Sequence, residues 1–456
     1  MTTRQHAFGL ENLVPQLAYH AAVAVKCRGF HQVRRSLERS QYLPPAELDR
    51  LRLARLKDLL VYARSQVPAY REKLRGIEPA SFRSLADLRA VPTVSKQEIK
   101  ENGARFLSPE NFPLRTRKIT GGSTGQPVTI WKTREARAGE LAAMWRGYSW
   151  AGIGIGDRQA RFWGVPFTRQ GRLNARLIDL VGNRRRLSAF SFDRSSLAGY
   201  TARLLAFRPD YFYGYASMMC EYADYLRSGP GVRFPGLKAV ISTSEVLHDS
   251  QRAKLESAFG ARVYNEYGCG EIGIVAQECE RGAMHLVAEN MVVEILDGDR
   301  VCPPGTPGEI TVTELNNRAM PLIRYRLGDF AALAAAPCPC GRTLPVLEKI
   351  YGRAYDMVRT ADGRLFHGEF FMYIFEELKR RDLGIGKFQV IQQEPARFLV
   401  KVVPERGYSP LTEEVIGSRM REHLGPVAVA IERVAEIPRE KSGKMRLIVA
   451  HRGVAS

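Results

Sequence analysis

Lys118-Ile-Thr-Gly-Gly-Ser-Thr-Gly-Gln-Pro-Val128 is the stretch on which the reading of this chain turns. Glycine tolerates unusual dihedrals and close approach, so a Gly/Ser/Thr loop can wrap backbone N–H groups and hydroxyls around phosphate oxygens. It is not a Walker A loop, which ends in Gly-Lys-Ser/Thr. Taken alone, such a segment is more often a plain turn. Its context matters more. From about Lys118 to Glu348, short apolar runs alternate with helical stretches and Gly/Ser/Thr or Asn/Asp turns. Examples are Pro127–Trp131, Ala239–Ile241 and Ala261–Tyr264. That rhythm predicts layered α/β structure. Gly308–Thr313 and Pro321–Tyr325 read as β structure without helices, a β-subdomain of the same unit.

Upstream, Leu51, Leu53, Leu56, Leu59, Leu60 and Val67 recur at helical spacing between Ala46 and Ile77, and Pro68 interrupts them. Ser95, with Glu98 three residues on, marks another helix start. Downstream of Tyr351-Gly-Arg353 the expected order is a helix over 369–380, strands over 387–392 and 397–403, a helix over 412–424 and a strand over 428–434. The expected domains are therefore a large unit over 1–350, mainly helical over 1–95, a hinge over 351–356, and a small mobile α+β unit over 357–456.

The 456 residues suit two or three domains, and 45% hydrophobic with 25% charged residues is an ordinary globular balance. No apolar run is long enough to span a bilayer, and Leu17–Val25 is short and contains His20. A cytoplasmic protein with reduced cysteines is expected. The net charge of +20 invites an anionic partner. Between Arg158 and Arg208 there are eleven arginines against Asp179 and Asp193. The bland reading is a solvated surface; the functional one is a landing face for ATP, CoA or an acidic carrier protein. Nothing has zinc-finger spacing or an RNA-binding signature, so nucleic acid is not expected.

Four further segments carry chemistry. Tyr264-Asn-Glu-Tyr-Gly-Cys-Gly-Glu-Ile-Gly273 contains the dinucleotide pattern Gly268-x-Gly270-x-x-Gly273. A nicotinamide site would need a helix opening there, and the following residues do not read as one. The preferred reading gives Tyr267 an aromatic face and Glu271 a hard oxygen for Mg²⁺. Asp329, in Tyr325-Arg-Leu-Gly-Asp329, could take both hydroxyls of a ribose, or merely cap a turn. Ile350–Asp356 falls at the expected junction. Near the C-terminus, Pro438-Arg-Glu-Lys-Ser-Gly-Lys444 presents a lysine able to neutralise charge on a reacting carboxylate and phosphate. Separately, Cys279-x₅-His285 and Cys338-x-Cys340 are four soft ligands suited to a closed tetrahedral zinc site. Cys269 and Cys302 are possible substitutes, and Cys27 and Cys220 read as core.

Taken in order, these segments resemble the adenylate-forming superfamily of acyl-CoA synthetases, adenylation domains and luciferases. The nearest likeness is to the phenylacetate–CoA ligase branch and its capsular-polysaccharide-type relatives. The matching residues are Thr120–Gly125, Glu266–Glu271, Ala319–Arg326 with Asp329, Gly352-Arg353, Pro438–Lys444 and Val67–Arg71. The resemblance implies ATP-dependent activation of a carboxylic acid to acyl-AMP, then thioester formation with CoA; an amine or carrier-protein acceptor is the alternative. It implies that Thr120, Gly121, Gly122, Ser123, Thr124 and Gly125 grip phosphates. Glu266, Tyr267 and Gly268 would line the nucleotide site, where Glu271 helps hold Mg²⁺. Ser244 and Glu245 lie on the adenine-side loop, Asp329 and Arg353 serve ribose or phosphate, and Lys444 serves adenylation. Tyr211–Ser217 resembles the acyl-pocket motif, so Tyr213, Tyr215 and Ala216, with Trp163 and Phe162, are expected to form an aromatic-lined pocket for an aryl or arylacetic acid. Relatives carry a similar Cys/His set. One departure is that Tyr355 and Asp356 stand where many members have two acidic residues, which leaves the hinge residue open.

Overall fold

The computed structural model describes residues 13–120, 128–164, 169–188, 194–229, 231–353, 357–360, 365–367, 371, 374–375, 377–378, 381–438 and 447–449. They fall into two compact units. The larger holds residues up to 247, 253–327 and 331–349; the smaller holds 248–252, 328–330 and 350 onward.

The larger unit opens with helices α1 (Leu13–Lys26), α2 (Phe30–Ser40), α3 (Pro45–Gln66) and α4 (Pro68–Lys73). Pro68 breaks the long periodic stretch as expected: Val67 is extended, and the proline starts α4. Helix α5 (Lys96–Phe106) is capped by Ser95, whose hydroxyl accepts from the Glu98 N–H at 3.1 Å. Strands β1 (Thr116–Thr120) and β2 (Val128–Lys132) pair antiparallel, so the Gly/Ser/Thr stretch connects two paired strands. Its residues 121–127 lie outside the described set.

After α6 (Arg134–Trp150), the chain builds β3 (Gln159–Trp163), α7 (Arg169–Val181), β4 (Arg184–Ser188), α8 (Arg194–Phe207), β5 (Tyr211–Gly214), α9 (Ala216–Arg227), β6 (Ala239–Thr243), α10 (Asp249–Phe259) and β7 (Val263–Cys269). These strands run parallel in the order β4-β3-β5-β6-β7. Then β8 (Gly273–Glu278), β9 (Met284–Leu286), β10 (Met291–Asp297), β11 (Arg300–Val301), β12 (Gly308–Glu314), β13 (Tyr325–Leu333) and β14 (Val346–Arg353) extend the sheet to β11-β10-β12-β13-β14-β9-β8-β7-β6-β5-β3-β4. Residues 321–324, expected as strand, precede β13 rather than joining it, because Arg324 adopts a left-handed backbone (φ 48°).

Side chains alternate across each strand. Phe162 and Phe212 go to the core face, with Tyr222, Phe234 and Phe259. Arg161 and Tyr213 go to the other face, where the Arg161 guanidinium lies over the Tyr213 ring. Trp163, at the end of β3, packs against the same cluster as Phe162.

In the smaller unit, β15 (Met357–Arg359) pairs with β16 (Leu365–His367). Strands β17 (Ile385–Glu394), β18 (Arg397–Pro404), β19 (Ala428–Arg433) and β20 (Ile448–Val449) form a sheet in the order β19-β18-β17-β20, covered by α11 (Pro410–Leu424). Strand β20 was not anticipated; two residues are too few to show a period. Phe371, Phe375, Phe388, Val400 and Ile416 make its core. Among the described residues, no helix is long and apolar enough to cross a membrane.

Candidate active site

Ligands of open α/β sheets gather beyond the carboxyl ends of the parallel strands. Here those ends carry Trp163 on β3, Tyr215 and Ala216 after β5, Ser244 and Glu245 after β6, and Glu266 along β7. The backbone is drawn tight at this edge. Gly214 has φ 155°, and a Cβ there would lie 2.1 Å from the Phe162 carbonyl oxygen. Ser244 holds a left-handed conformation (φ 68°), a strained choice for a non-glycine residue at a ligand edge.

The aromatic set is assembled as a stack. Trp163 lies 4.4 Å from Tyr215 at 26° and 5.7 Å from Tyr213 at 28°. The Arg161 guanidinium caps both Trp163 (4.7 Å) and Tyr213 (4.6 Å). Tyr213, Tyr215 and Ala216 are buried by this packing, and Trp163 is half-buried. Tyr213 and Tyr215 both turn a ring face to Trp163.

Below the stack lies Glu266, 5% exposed. Tyr213 donates to its Oε1 at 3.1 Å, and the Gln277 amide donates to Oε2 at 3.4 Å. Burial pushes the Glu266 carboxyl above its usual range, and hydrogen bonds from Tyr213, Tyr148 and Thr243 offset only part of that. Glu245 is engaged differently. Its two oxygens accept from the Ser217 N–H (2.8 Å) and hydroxyl (2.9 Å), which ties the β6 loop to the start of α9.

Gly268-x-Gly270-x-x-Gly273 is the turn between antiparallel β7 and β8. No helix opens there, so the dinucleotide pattern has no Rossmann context. Glu271 on this turn is 6% exposed, with Oε1 2.7 Å from the Lys96 ammonium at the first turn of α5. Tyr267 is half-buried on β7. Behind the turn lies an ionic cluster. Glu140 pairs with Lys118 and with Arg137 (2.6 Å); Lys132 pairs with Glu314 (2.5 Å) and donates to the Ile272 carbonyl at 3.3 Å. The Glu140 carboxylate fills the space a Cβ on Gly273 would need. Burial works against charge on Glu140, yet Lys118, Lys132 and Arg137 together hold it below the usual carboxylate range.

Asp329 is buried on β13 and belongs to the smaller unit. Gly121–Gly125 and Lys444 lie outside the described residues, as do the side chains of Thr120 and Arg353, whose backbones end β1 and β14.

The four soft ligands come together. The donor atoms of Cys279, His285, Cys338 and Cys340 all lie within 4.8 Å of one another. Cys279 and Cys338 sulfurs are 3.8 Å apart, and Cys340 Sγ is 3.2 Å from His285 Nε2. A tetrahedron with Zn–S of about 2.3 Å has S–S edges of roughly 3.8 Å, so the set fits zinc. His285 Nδ1 lies 3.1 Å from the Leu344 carbonyl oxygen, which leaves Nε2 for a metal. The cluster also anchors the N-terminal helices. Arg342 bonds Gln41 (3.2 Å), which accepts from the Trp150 indole (3.0 Å), and the Thr343 N–H donates to the Gln41 carbonyl (2.9 Å).

Residues 358–451 match the family model of the CapK C-terminal domain. The phenylacetate–coenzyme A ligase of Thermus thermophilus is 28% identical over 333 residues, covering 69% of this chain and 72% of that one. Protein CapK of Staphylococcus aureus is 23% identical over 291 residues, covering 61% and 62%. A 2-hydroxyisobutyryl-CoA ligase in its postadenylation state superposes with a TM-score of 0.72 at 24% identity, over 91% of this chain and 92% of the other. The chain is thus similar in sequence to phenylacetate–CoA ligases and to CapK, and it shares the fold of an acyl-CoA ligase.

The sequence reading missed Lys96, Tyr148, Arg161, Lys132 and Glu140. A weak signal existed for two of them. Arg161 interrupts Ala160-Arg-Phe162, and Lys132 ends an alternating strand; a charge inside an apolar strand needs a partner. Nothing local named those partners.

Proposed function

We propose that this protein is an AMP-forming acid–thiol ligase. A carboxylate attacks the ATP α-phosphorus and displaces pyrophosphate; a thiol, CoA by the relatives' example, then attacks the acyl carbon and displaces AMP. The observation that carries the reading is the convergence of Trp163, Tyr215, Ser244, Glu245 and Glu266 at one strand-end edge, with Glu271 on the adjoining turn. In this reading Thr120–Gly125 hold the phosphates, while Ser244, Glu245, Glu266, Tyr267 and Gly268 bound the nucleotide. Asp329 and Arg353 serve ribose or phosphate, and Lys444 neutralises charge as the adenylate forms. Glu271 would hold Mg²⁺, and the Lys96 ammonium, 2.7 Å from its Oε1, keeps the side chain aimed. Residues 351–356 act as the hinge that lets one site run two half-reactions. Cys279, His285, Cys338 and Cys340 hold a structural zinc.

The acid is proposed to be aryl or arylacetic. The relatives named as phenylacetate–CoA ligases support this, as does Trp163, the ring of the stack least consumed by packing. An amine or a carrier protein is the second acceptor class that this reading admits.

The test is pyrophosphate release from ATP with a panel of acids, with and without CoA. Release with an aryl acid and consumption of CoA fits the first reading; release without CoA consumption fits the second. Lys444→Ala should abolish acyl-AMP formation while sparing thioester formation from supplied acyl-AMP. Joint loss in a folded variant would refute the two-state account. Metal analysis should find one zinc per chain, absent from Cys338→Ser.

A further inference from the structure

Helix α7 is turned inside out. Its half-buried positions are Gly171, Ala175, Asp179 and the terminal Val181, and no residue of it is fully buried. Asp179 fastens it to the sheet through two 2.9 Å bonds from the Arg186 guanidinium. Leu173, Leu177 and Leu180, spaced to share one helix face, point to solvent at 54%, 55% and 73% exposure. Ile178 beside them is 53% exposed. Helix α1 packs against α7 and continues the surface with Leu17 (61%), Val25 (58%) and exposed Ala18, Ala21 and Ala24. No charge interrupts α1 before Lys26. Monomers rarely expose contiguous aliphatic surface of this kind without using it.

The charge around the surface says what covers it. Arg169, Arg172 and Arg176 run along one flank of the α7 leucines, all exposed, and Arg185 is exposed on the neighbouring edge strand β4. A second copy related by a two-fold axis would bring these arginines toward their own images, which costs free energy. An anionic headgroup layer pairs with each of them while the leucines enter the acyl boundary, the arrangement of an interfacial amphipathic helix. We propose that the α1–α7 surface seats this protein on an anionic lipid membrane, without spanning it. The inference is independent of the proposed reaction.

The experiment is co-sedimentation of the full-length protein with vesicles of phosphatidylglycerol and phosphatidylcholine, against phosphatidylcholine alone. Light scattering would be run in parallel. Binding is expected to the anionic vesicles only, and to weaken with salt. Replacing Arg169, Arg172 and Arg176 by glutamine should lower partitioning on the order of a hundredfold, about fivefold per charge. Leu173→Asp with Leu177→Asp should lower it at least as much, with the unfolding temperature unchanged because both sites are exposed. Four results overturn the proposal. The first is no binding to anionic vesicles, and the second is binding unaltered in both variants. The third is a dimer that Leu173→Asp and Leu177→Asp dissociate while vesicles go unbound, which would make the face a self-interface. An acidic protein that competes for the face, with no vesicle binding, would overturn it equally.

Discussion

Glu140 and Glu266 are both shut away from water on neighbouring elements of the larger unit, and they meet opposite electrostatic fates. Glu140, behind the β1–β2 hairpin, has Lys118, Lys132 and Arg137 around it, and its carboxyl is held below the ordinary range. Glu266, at the strand-end edge, has phenols, a threonine hydroxyl, an amide and the more distant Arg161 guanidinium, and its carboxyl is pushed above that range. Three cations outweigh the desolvation of Glu140; the neighbours of Glu266 offset only part of its own. The first region is an ionic brace under the turn that carries Glu271. The second disfavours charge on a carboxyl where a nucleotide and an acyl group are proposed to meet, an arrangement suited to a site whose own ligands bring negative charge.

The hardest blow to this contrast falls on the brace. Lys132→Met leaves Glu314 buried without its cation and takes another from Glu140. A loss of about 3–5 kcal/mol of unfolding free energy is expected in urea titrations. Adding Glu314→Leu should recover most of it, since the orphaned charge, not the missing bond, dominates the cost. A single variant as stable as the parent would show that the region is no brace.

At the other region the expected effect is smaller. Tyr213→Phe removes the 3.1 Å donor to Glu266 but leaves the Gln277 amide. The cost should be about 1–3 kcal/mol, with the Glu266 carboxyl moving further up. Were the two regions alike in kind, this variant would cost as much as Lys132→Met.

The sequence showed these regions unequally. The Cys/His set was legible because each pair sits within a few residues of its mate, Cys279 with His285 and Cys338 with Cys340. A zinc tetrahedron needs only that the two pairs meet. Ser95 and Pro68 were legible because caps and breakers act over one turn. The Glu266 surroundings were not, because Arg161, Tyr213, Glu266 and Gln277 come from four strands and Tyr148 from a helix. The motif Tyr211–Ser217 set Tyr213 and Tyr215 near one strand end, but no local pattern could show that both stack on Trp163. Lys96 was hidden for a similar reason: it follows a legible cap, while its partner Glu271 is 175 positions away.

The finest test uses the sign of the two shifts. Glu266 has a folded pKa raised above the ordinary 4.5, so its contribution to stability is complete below 4.5 and is lost as pH rises through the raised value. Glu140 has a folded pKa lowered from 4.5, so its contribution is complete above 4.5 and is lost as pH falls through the lowered value. Glutamine cannot titrate. Relative to the parent, Glu266→Gln should therefore gain stability as pH rises from 4.5 toward neutrality, while Glu140→Gln should fall further behind as pH rises toward and past 4.5. Each unit of displacement is worth about 1.4 kcal/mol, within reach of urea midpoints measured across that range. Glu314, also raised by burial against Lys132, tilts the parent's curve in the same direction as Glu266. Subtracting the parent's curve from each variant's cancels that shared slope. Opposite slopes in the two differences would hold the contrast between a carboxyl held low by cations and one pushed up by burial; parallel slopes would collapse it into one buried ionic network.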